Sequence, residues 1–367
     1  MKNPEQQIVR EGIHREPVVE KENAVSFLGV EIKKGTEDSP RVPKVERFKK
    51  DVVTAFDLRL MRDLAVGISL NQPILVQGGS GVGKSRTIDR MAAMTHRPSY
   101  YANCHELDPD VLIGKLAPIE DAKSGFGWRD GLVVEAVRKG GWLVLDEYNF
   151  MKGTTRAALH EVLDAILQGK DSITLVDNHG EQVPVHPDFR IVAAQNPPGG
   201  QHGDREQLDP AQYTRFSHIV LPEDLPKEVK KARLLGSFGK DNVISLDEKE
   251  YFVSGSIDRQ ALAEIPGFED LMDKYLEFTD SLQKSVDSGS LGKEAQGKQP
   301  VYFSFQRDTD RVLNFVQKFY DGDLGETLRT ALRFYFAKRF ESDADRAKIE
   351  EMILQITYVA PADARRK

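Results

Sequence analysis

The sequence predicts an α/β fold: a mostly parallel sheet with helices on both faces, followed by a smaller all-helical domain. Three observations predict it. Short apolar runs alternate with helix-period stretches from residue 74 to residue 221, a glycine-rich turn separates the first run from the first helix, and strand signals fade after Pro226. Alternation of this kind implies right-handed crossovers between parallel strands. The length of 367 residues, at about 150 per domain, suits two domains. The hydrophobic share is 40% without glycine, and 29 glycines bring it into the ordinary globular range, which is about 45–50%. Wholesale disorder is excluded.

Residues 1–45 carry scattered charges, Pro17, Pro40 and Pro43, and one short apolar patch from Val25 to Val30. They read as an extended N-terminal arm with one strand at that patch. The α/β domain is expected over 46–225. It opens with a helical spacing of Val52, Val53, Phe56, Leu58, Leu60, Met61, Leu64 and Ile68. Pro73 then leads into a buried strand, Ile74-Leu75-Val76-Gln77. Further strands are expected at 99–103, 142–146, 191–195 and 218–221, with helices at 84–95, 131–139 and 154–168 and a shorter one near 209–215. Two inserts, 115–130 and 171–188, set turn residues between alternating apolar positions and read as hairpins. Residues 226–367 are expected to be helical at 227–237, 258–284, 307–320, 325–340 and 343–358, around a polar Gly/Ser/Lys-rich loop at 285–300.

Composition narrows the function classes. The apolar runs are only a few residues long, far short of the roughly 18 a membrane span needs. The polar start MKNPEQQIVREG lacks the apolar stretch of a secretory signal, so the expectation is a cytoplasmic protein with no membrane partner. The 51 basic and 58 acidic residues, net −7, are well mixed, unlike a basic nucleic-acid-binding domain; nucleic acid is not the expected partner, although a local basic stripe stays open. Cys104 is the single cysteine, so neither an internal disulfide nor a multi-thiolate metal cluster can form. An inert buried thiol is expected.

Gly78-Gly79-Ser80-Gly81-Val82-Gly83-Lys84-Ser85 fits G-x-x-x-x-G-K-[ST], directly after a predicted strand and directly before a predicted helix. The glycines let successive main-chain N–H groups turn inward toward phosphate oxygens, and the helix adds the positive end of its dipole. Lys84 is expected to reach the β- and γ-phosphates and the Ser85 hydroxyl to hold Mg2+. A chance glycine-rich turn is the bland alternative; the flanking strand and helix argue against it.

Val144-Leu145-Asp146-Glu147 closes an apolar run, as a buried strand ending at the carboxyl edge of the sheet does. Asp146 suits the surroundings of the magnesium, and Glu147 can take a proton from an attacking water. The roles need separate carboxylates, because one neutralised by a metal is a poor base. Taken alone, the pair also fits helix N-cap acids. Ile191-Val192-Ala193-Ala194-Gln195 ends likewise in Asn196, whose amide can orient the water opposite Glu147 or simply serve the turn before Pro197-Pro198. Arg215, in Tyr213-Thr214-Arg215-Phe216, is either a surface ion-pair residue or a group that stabilises charge on a γ-phosphate in flight, an effect worth about 10³–10⁵ in rate.

Together these segments resemble the AAA+ ATPases, P-loop NTPases whose sheet domain is followed by a helical lid. More narrowly they resemble the branch with a hairpin inserted in the second helix, which holds the MoxR-type, dynein- and midasin-related, CbbQ/NirQ and cobalt- and magnesium-chelatase ATPase groups. Further matching segments are Asp110-Val111-Leu112-Ile113-Gly114, His186-Pro187-Asp188-Phe189-Arg190 and Leu208-Asp209-Pro210-Ala211-Gln212. The likeness covers about 70–310 well and 311–358 less closely; residues 1–45 find no counterpart.

The resemblance implies ATP and Mg2+ as ligands and a ring, usually a hexamer, with ATP between subunits and Arg215 reaching the neighbour's γ-phosphate. It implies a second arginine near the start of a lid helix, for which Arg307 is the better match and Arg311 the rival. It also implies a chaperone-like motor that remodels or activates a protein partner, in this branch often one with a von Willebrand factor A domain. The motor subunit of a metal chelatase and a nucleotide-sensing switch with little turnover are the alternatives. In the insert, Phe126 and Trp128 either grip a client in the ring's pore or pin the hairpin to its own domain.

Overall fold

A computed structural model describes residues 13–14, 17–36, 38–48, 51–105, 107–118, 125–197, 208, 210–235, 243–246, 249–252, 262, 264–292, 301 and 303–357. The chain divides into two compact units, Met1–Asp224 with Val243–Val253, and Leu225–Asn242 with Ser254–Lys367.

The first unit is built on a five-stranded, all-parallel sheet in the order Ser217–Val220, Ile74–Gln77, Arg190–Gln195, Trp142–Asp146, Ser99–Asn103. Its central strands are continuous apolar runs because both faces are covered: Leu75, Val76, Leu143, Val144, Leu145, Val192, Ala193 and Ala194 are all fully buried. Helices Ala55–Ser69, Lys84–Met94, Leu132–Lys139 and Gly153–Leu167 supply the crossovers and flanks. The first of these starts on a capping box. The Thr54 hydroxyl accepts from the Asp57 N–H at 3.3 Å, and the Asp57 carboxylate accepts from the Thr54 N–H at 2.8 Å, so two orphan donors are satisfied reciprocally.

Register sets up the functional edge. Gln195 pairs with Gln77, Ala193 with Leu145, and Asn103 with Asp146. The residues just past Gln77 and Gln195, and Asp146 itself, therefore emerge side by side at the carboxyl ends of the strands, where ligands bind in open α/β sheets. Two antiparallel hairpins, Gly114–Pro118 with Phe126–Asp130 and Ser172–Leu175 with Glu181–Pro184, project from this frame. Arg138 joins them, pairing with Asp130 of one at 2.7 Å and Glu181 of the other at 2.6 Å.

Two expectations are corrected. Residues 1–45 are not simply an extended arm: Val18–Glu20, Ala24–Phe27 and Val30–Lys33 form a three-stranded antiparallel sheet packed on helix Ala55–Ser69. The reason is burial: Val25 and Phe27 are fully covered and Ile32 nearly so. The tight turn is made by Leu28 and Gly29 at φ +49° and +90°, the two positive φ values a two-residue hairpin turn demands. Leucine is an unusual residue there, which hid the turn. Second, the region after 226 is not all helical. Strands Val243–Leu246 and Lys249–Phe252 pair antiparallel, the latter also pairs with Ile13–His14, and the hairpin belongs to the first unit. Val243, Ile244, Tyr251 and Phe252 carry the β-branched and aromatic character that favours strands.

A buried arginine helps to tie the N-terminal sheet down, beside a bond of 3.2 Å from Ser69 Oγ to the Glu31 carbonyl. Arg97, 7% exposed, donates to the Lys33 carbonyl from Nε at 3.2 Å and Nη2 at 2.9 Å and pairs with Asp188 at 2.7 Å. Arg97→Ala removes all three contacts and leaves the carbonyl and carboxylate without their cation. We expect it to lower stability by about 2–3 kcal/mol, read as an earlier midpoint in urea unfolding; an unchanged midpoint would show that the sheet docks without help from Arg97.

The second unit is helical among its described residues, with Lys227–Leu235, Phe268–Asp287, Phe305–Phe319, Leu324–Tyr335 and Asp343–Thr357 as its main elements. They enclose a separate core in which Tyr275, Phe278 and Phe336 are buried and in edge contact. Among the described residues no helix is long and apolar enough to cross a membrane.

Candidate functional site

The loop Gly78–Gly83 leaves the strand Ile74–Gln77 and enters helix Lys84–Met94. Its turn needs glycine at two positions, Gly81 at φ +78° and Gly83 at φ +109°. Its ends are stitched to neighbouring strands: the Gly78 N–H donates to the Gln195 carbonyl at 3.2 Å and the Gly79 N–H to the Pro222 carbonyl at 3.1 Å. Lys84 is buried at 8% exposure, its Nζ donating to the carbonyls of Gly78 at 2.6 Å and Gly79 at 2.8 Å and to Asn196 Oδ1 at 2.8 Å. The lysine and the end of strand Arg190–Gln195 thus meet at one point, as the register requires.

Asp146 sits at the end of its strand as an acceptor for three donors. Ser85 Oγ donates to Oδ2 at 2.8 Å, Tyr101 Oη to the same oxygen at 2.9 Å, and the Glu147 N–H to Oδ1 at 3.0 Å. Burial, then the Asp146 charge, pushes the Tyr101 phenol up, so it stays a protonated donor. Glu147 stands in the left-handed region, φ +54° and ψ +44°, a conformation uncommon outside glycine and concentrated at functional sites. Its carboxylate makes no hydrogen bond to another described residue.

Residues 78–85, Asp146 and Asn196 are thus brought together, with Glu147 adjoining. Arg215 stands apart from this cluster. Its guanidinium is forked on Asp164, Nε to Oδ1 at 2.7 Å and Nη2 to Oδ2 at 3.2 Å, while Nη1 donates to the Ala211 carbonyl at 2.6 Å. The arginine holds the Asp164 carboxyl below the usual carboxylate range. Arg307 is exposed in the first turn of Phe305–Phe319 in the second unit. Arg311, on the same helix, lies 3.4 Å from Asp308, which also pairs with Arg339. Asp209, in a segment quoted for the resemblance, lies outside the described residues.

Three residues escaped the sequence reading: Tyr101, Asp164 and Asn149. The last, 2% exposed, donates to the Asn196 carbonyl at 3.2 Å and so braces the residue beside Lys84. Trp128 packs against the domain core and donates to Asp130 at 3.0 Å, pinning the insert, whereas Phe126 is 59% exposed. Cys104 is buried, and burial followed by the Asp146 and Glu147 charges raises its thiol well above the ordinary range; it has no nucleophile's character.

The donor set fits a magnesium-bound triphosphate. A helix of 11 residues opens at a glycine-rich turn, a buried ammonium stands at its mouth, and a hydroxyl and a carboxylate 2.8 Å apart offer the hard oxygen donors Mg2+ takes. A Cβ at Gly79 would fall 1.5 Å from the Glu223 carbonyl oxygen, so the cradle has no room for a side chain.

A glycine-rich loop feeding a helix, with an acidic strand end beside it in a parallel sheet, defines a P-loop nucleotide-binding fold. Within that class, residues 73–216 match the AAA domain of the dynein-related subfamily, and the chain carries such a domain. Midasin of Dictyostelium discoideum is 33% identical over 195 residues, 52% of this chain and 3% of midasin. NorQ of Paracoccus denitrificans is 30% identical over 187 residues, 50% of this chain and 62% of NorQ. CbbQ of Hydrogenophilus thermoluteolus is 32% identical over 156 residues, 42% of this chain and 55% of CbbQ. The matched segment spans less than two thirds of each relative.

Proposed function

We propose that this protein hydrolyses ATP with Mg2+ at the interfaces of a ring, a hexamer being the usual form in the family it resembles, and uses the cycle to remodel a protein partner. The observation that carries the reading is the junction of Lys84, Ser85, Asp146 and Asn196 at adjoining strand ends, with Glu147 next to them.

In this reading the main-chain amides of Gly78–Gly83 and the Lys84 ammonium bind the phosphates. Ser85 and Asp146 would hold Mg2+, which when bound neutralises charge on the β- and γ-phosphates. Tyr101 orients Asp146 through the oxygen it shares with Ser85. Glu147 accepts the proton of the attacking water, and Asn196 orients that water from the opposite side. Arg215, partly exposed and fixed away from its own chain's cluster, completes the site of the next copy. Such a contact is head-to-tail and closes by rotation into a ring. Arg307 is proposed as a further nucleotide-binding residue on the family resemblance alone.

Mixing two inactive variants tests this. Glu147→Gln spoils the site a chain builds and Arg215→Ala the site it completes. If each site draws one residue from each of two neighbours, randomly mixed equal amounts regain active interfaces, about a quarter of the total. Phosphate release by the mixture should rise well above either variant alone; a mixture as slow as its components means that Glu147 and Arg215 do not serve one site in trans.

A further inference from the structure

We propose that Asp164 is the positioning residue for Arg215, fixing the plane in which the guanidinium meets the triphosphate bound by an adjoining copy; this rests on the reading of Arg215 given above. Asp164 touches neither phosphate nor water in this scheme and acts only through the arginine.

The geometry is a side-on fork. The contacts of 2.7 and 3.2 Å from Nε and Nη2 to the two carboxylate oxygens use one edge of the guanidinium, and the 2.6 Å bond from Nη1 to the Ala211 carbonyl adds a third restraint. Paired N–H groups on paired oxygens specify orientation as well as distance. The platform beneath is rigid. Helix Gly153–Leu167 buries Leu159, Val162, Leu163 and Ile166, so its partly exposed face, with His160 and Asp164 at i and i+4, is held by the core. His160 takes Gln212 at 3.2 Å, so the turn Pro210–Tyr213 is fastened to the same helix one turn before the fork. On the other side of Arg215, Phe216 is buried against the Tyr148 ring at 5.3 Å, and Tyr148 follows Glu147 directly.

Stability alone does not account for this arrangement. The two side chains are 22% and 33% exposed, and a partly exposed pair, even a bidentate one, contributes only modestly to folding. Orientation does account for it. A long, flexible side chain that must act across an interface loses its rotamer freedom at the moment of reaction unless something has already ordered it, and a small misplacement of such a group costs about 10²-fold in rate.

The test is a double-mutant cycle on the full chain: wild type, Asp164→Ala, Arg215→Ala and the double variant. Each is assayed for kcat and KM with ATP and Mg2+, for Tm, and for assembly size at the assay concentration. We expect Asp164→Ala to lower kcat about 10- to 100-fold with KM, Tm and assembly size near wild type. Asp164→Asn, which keeps the shape and one acceptor, should fall between. In the Arg215→Ala background, Asp164→Ala should change nothing further, since the group it positions is gone. A wild-type or raised kcat in Asp164→Ala, or losses that multiply in the double variant, would overturn the proposal while a slow Arg215→Ala leaves the trans-acting arginine standing. Arg215→Ala at wild-type rate overturns both.

Discussion

Glu147→Gln is expected to lower kcat for ATP hydrolysis by about 10²–10⁴-fold, the usual contribution of a general base, while nucleotide affinity stays within a few-fold of wild type. The neighbouring acids are separated by their surroundings. Asp146 accepts hydrogen bonds from Ser85, Tyr101 and the Glu147 main chain, which orients its carboxylate toward the Ser85 hydroxyl, where Mg2+ would sit, and makes it a poor base. Glu147, one residue on, is turned out of the strand by its left-handed backbone and its carboxylate is not engaged by another described residue. Glutamine keeps the length and shape of that side chain but its amide cannot take a proton at neutral pH. Steady-state phosphate release measures the rate, and titration with a fluorescent ATP analogue measures affinity separately. Equal rates for the two proteins would remove Glu147 from the chemistry; a lost affinity with unchanged kcat would assign it to binding.

What the sequence makes legible here is what chain-local chemistry controls. The loop 78–85 announces itself because its function needs glycines, a lysine and a hydroxyl at fixed spacing on one continuous segment. The buried strands are equally legible, being apolar on both faces. Partners set by register or by tertiary packing are not. Tyr101 reaches Asp146 because Tyr101 pairs with Val144 across two parallel strands, which puts the phenol on the face that Asp146 shares; no reading of 99–103 alone reveals this. Asp164 lies 51 residues from Arg215, and only the packing of a turn on a helix joins them. The N-terminal sheet was hidden by Leu28, a residue that turn preferences do not favour at positive φ. The hairpin Val243–Phe252 was hidden by its position, a strand pair lying in sequence among helices.

Gly79→Ala is expected to lower ATP affinity by at least about tenfold and to destabilise the fold by about 1–3 kcal/mol, the range for forcing an extra methyl into a packed site. The four glycines of the loop are constrained in different ways. Gly81 and Gly83 are held by positive φ, so a side chain there strains the backbone. At Gly78 an added carbon would lie 2.7 Å from Leu221 Cβ, a milder overlap, although that atom too moves only with its main chain. At Gly79 the added carbon would lie 1.5 Å from the Glu223 carbonyl oxygen, and no rotamer change moves a main-chain atom. The Gly79 N–H also bonds the Pro222 carbonyl at 3.1 Å, so relief requires the loop to part from the segment that follows the edge strand Ser217–Val220. Lys84 would move with it, because its ammonium is bonded to the Gly78 and Gly79 carbonyls and to Asn196. Gly153→Ala is the control: a Cβ there meets nothing within 4 Å. Isothermal titration with ATP and Mg2+, beside urea unfolding of the same samples, separates a lost site from a lost fold. If Gly79→Ala binds ATP as tightly as the parent and unfolds at the same midpoint, the strand-end segment yields easily, and the cradle's shape owes less to close main-chain contact than these distances imply.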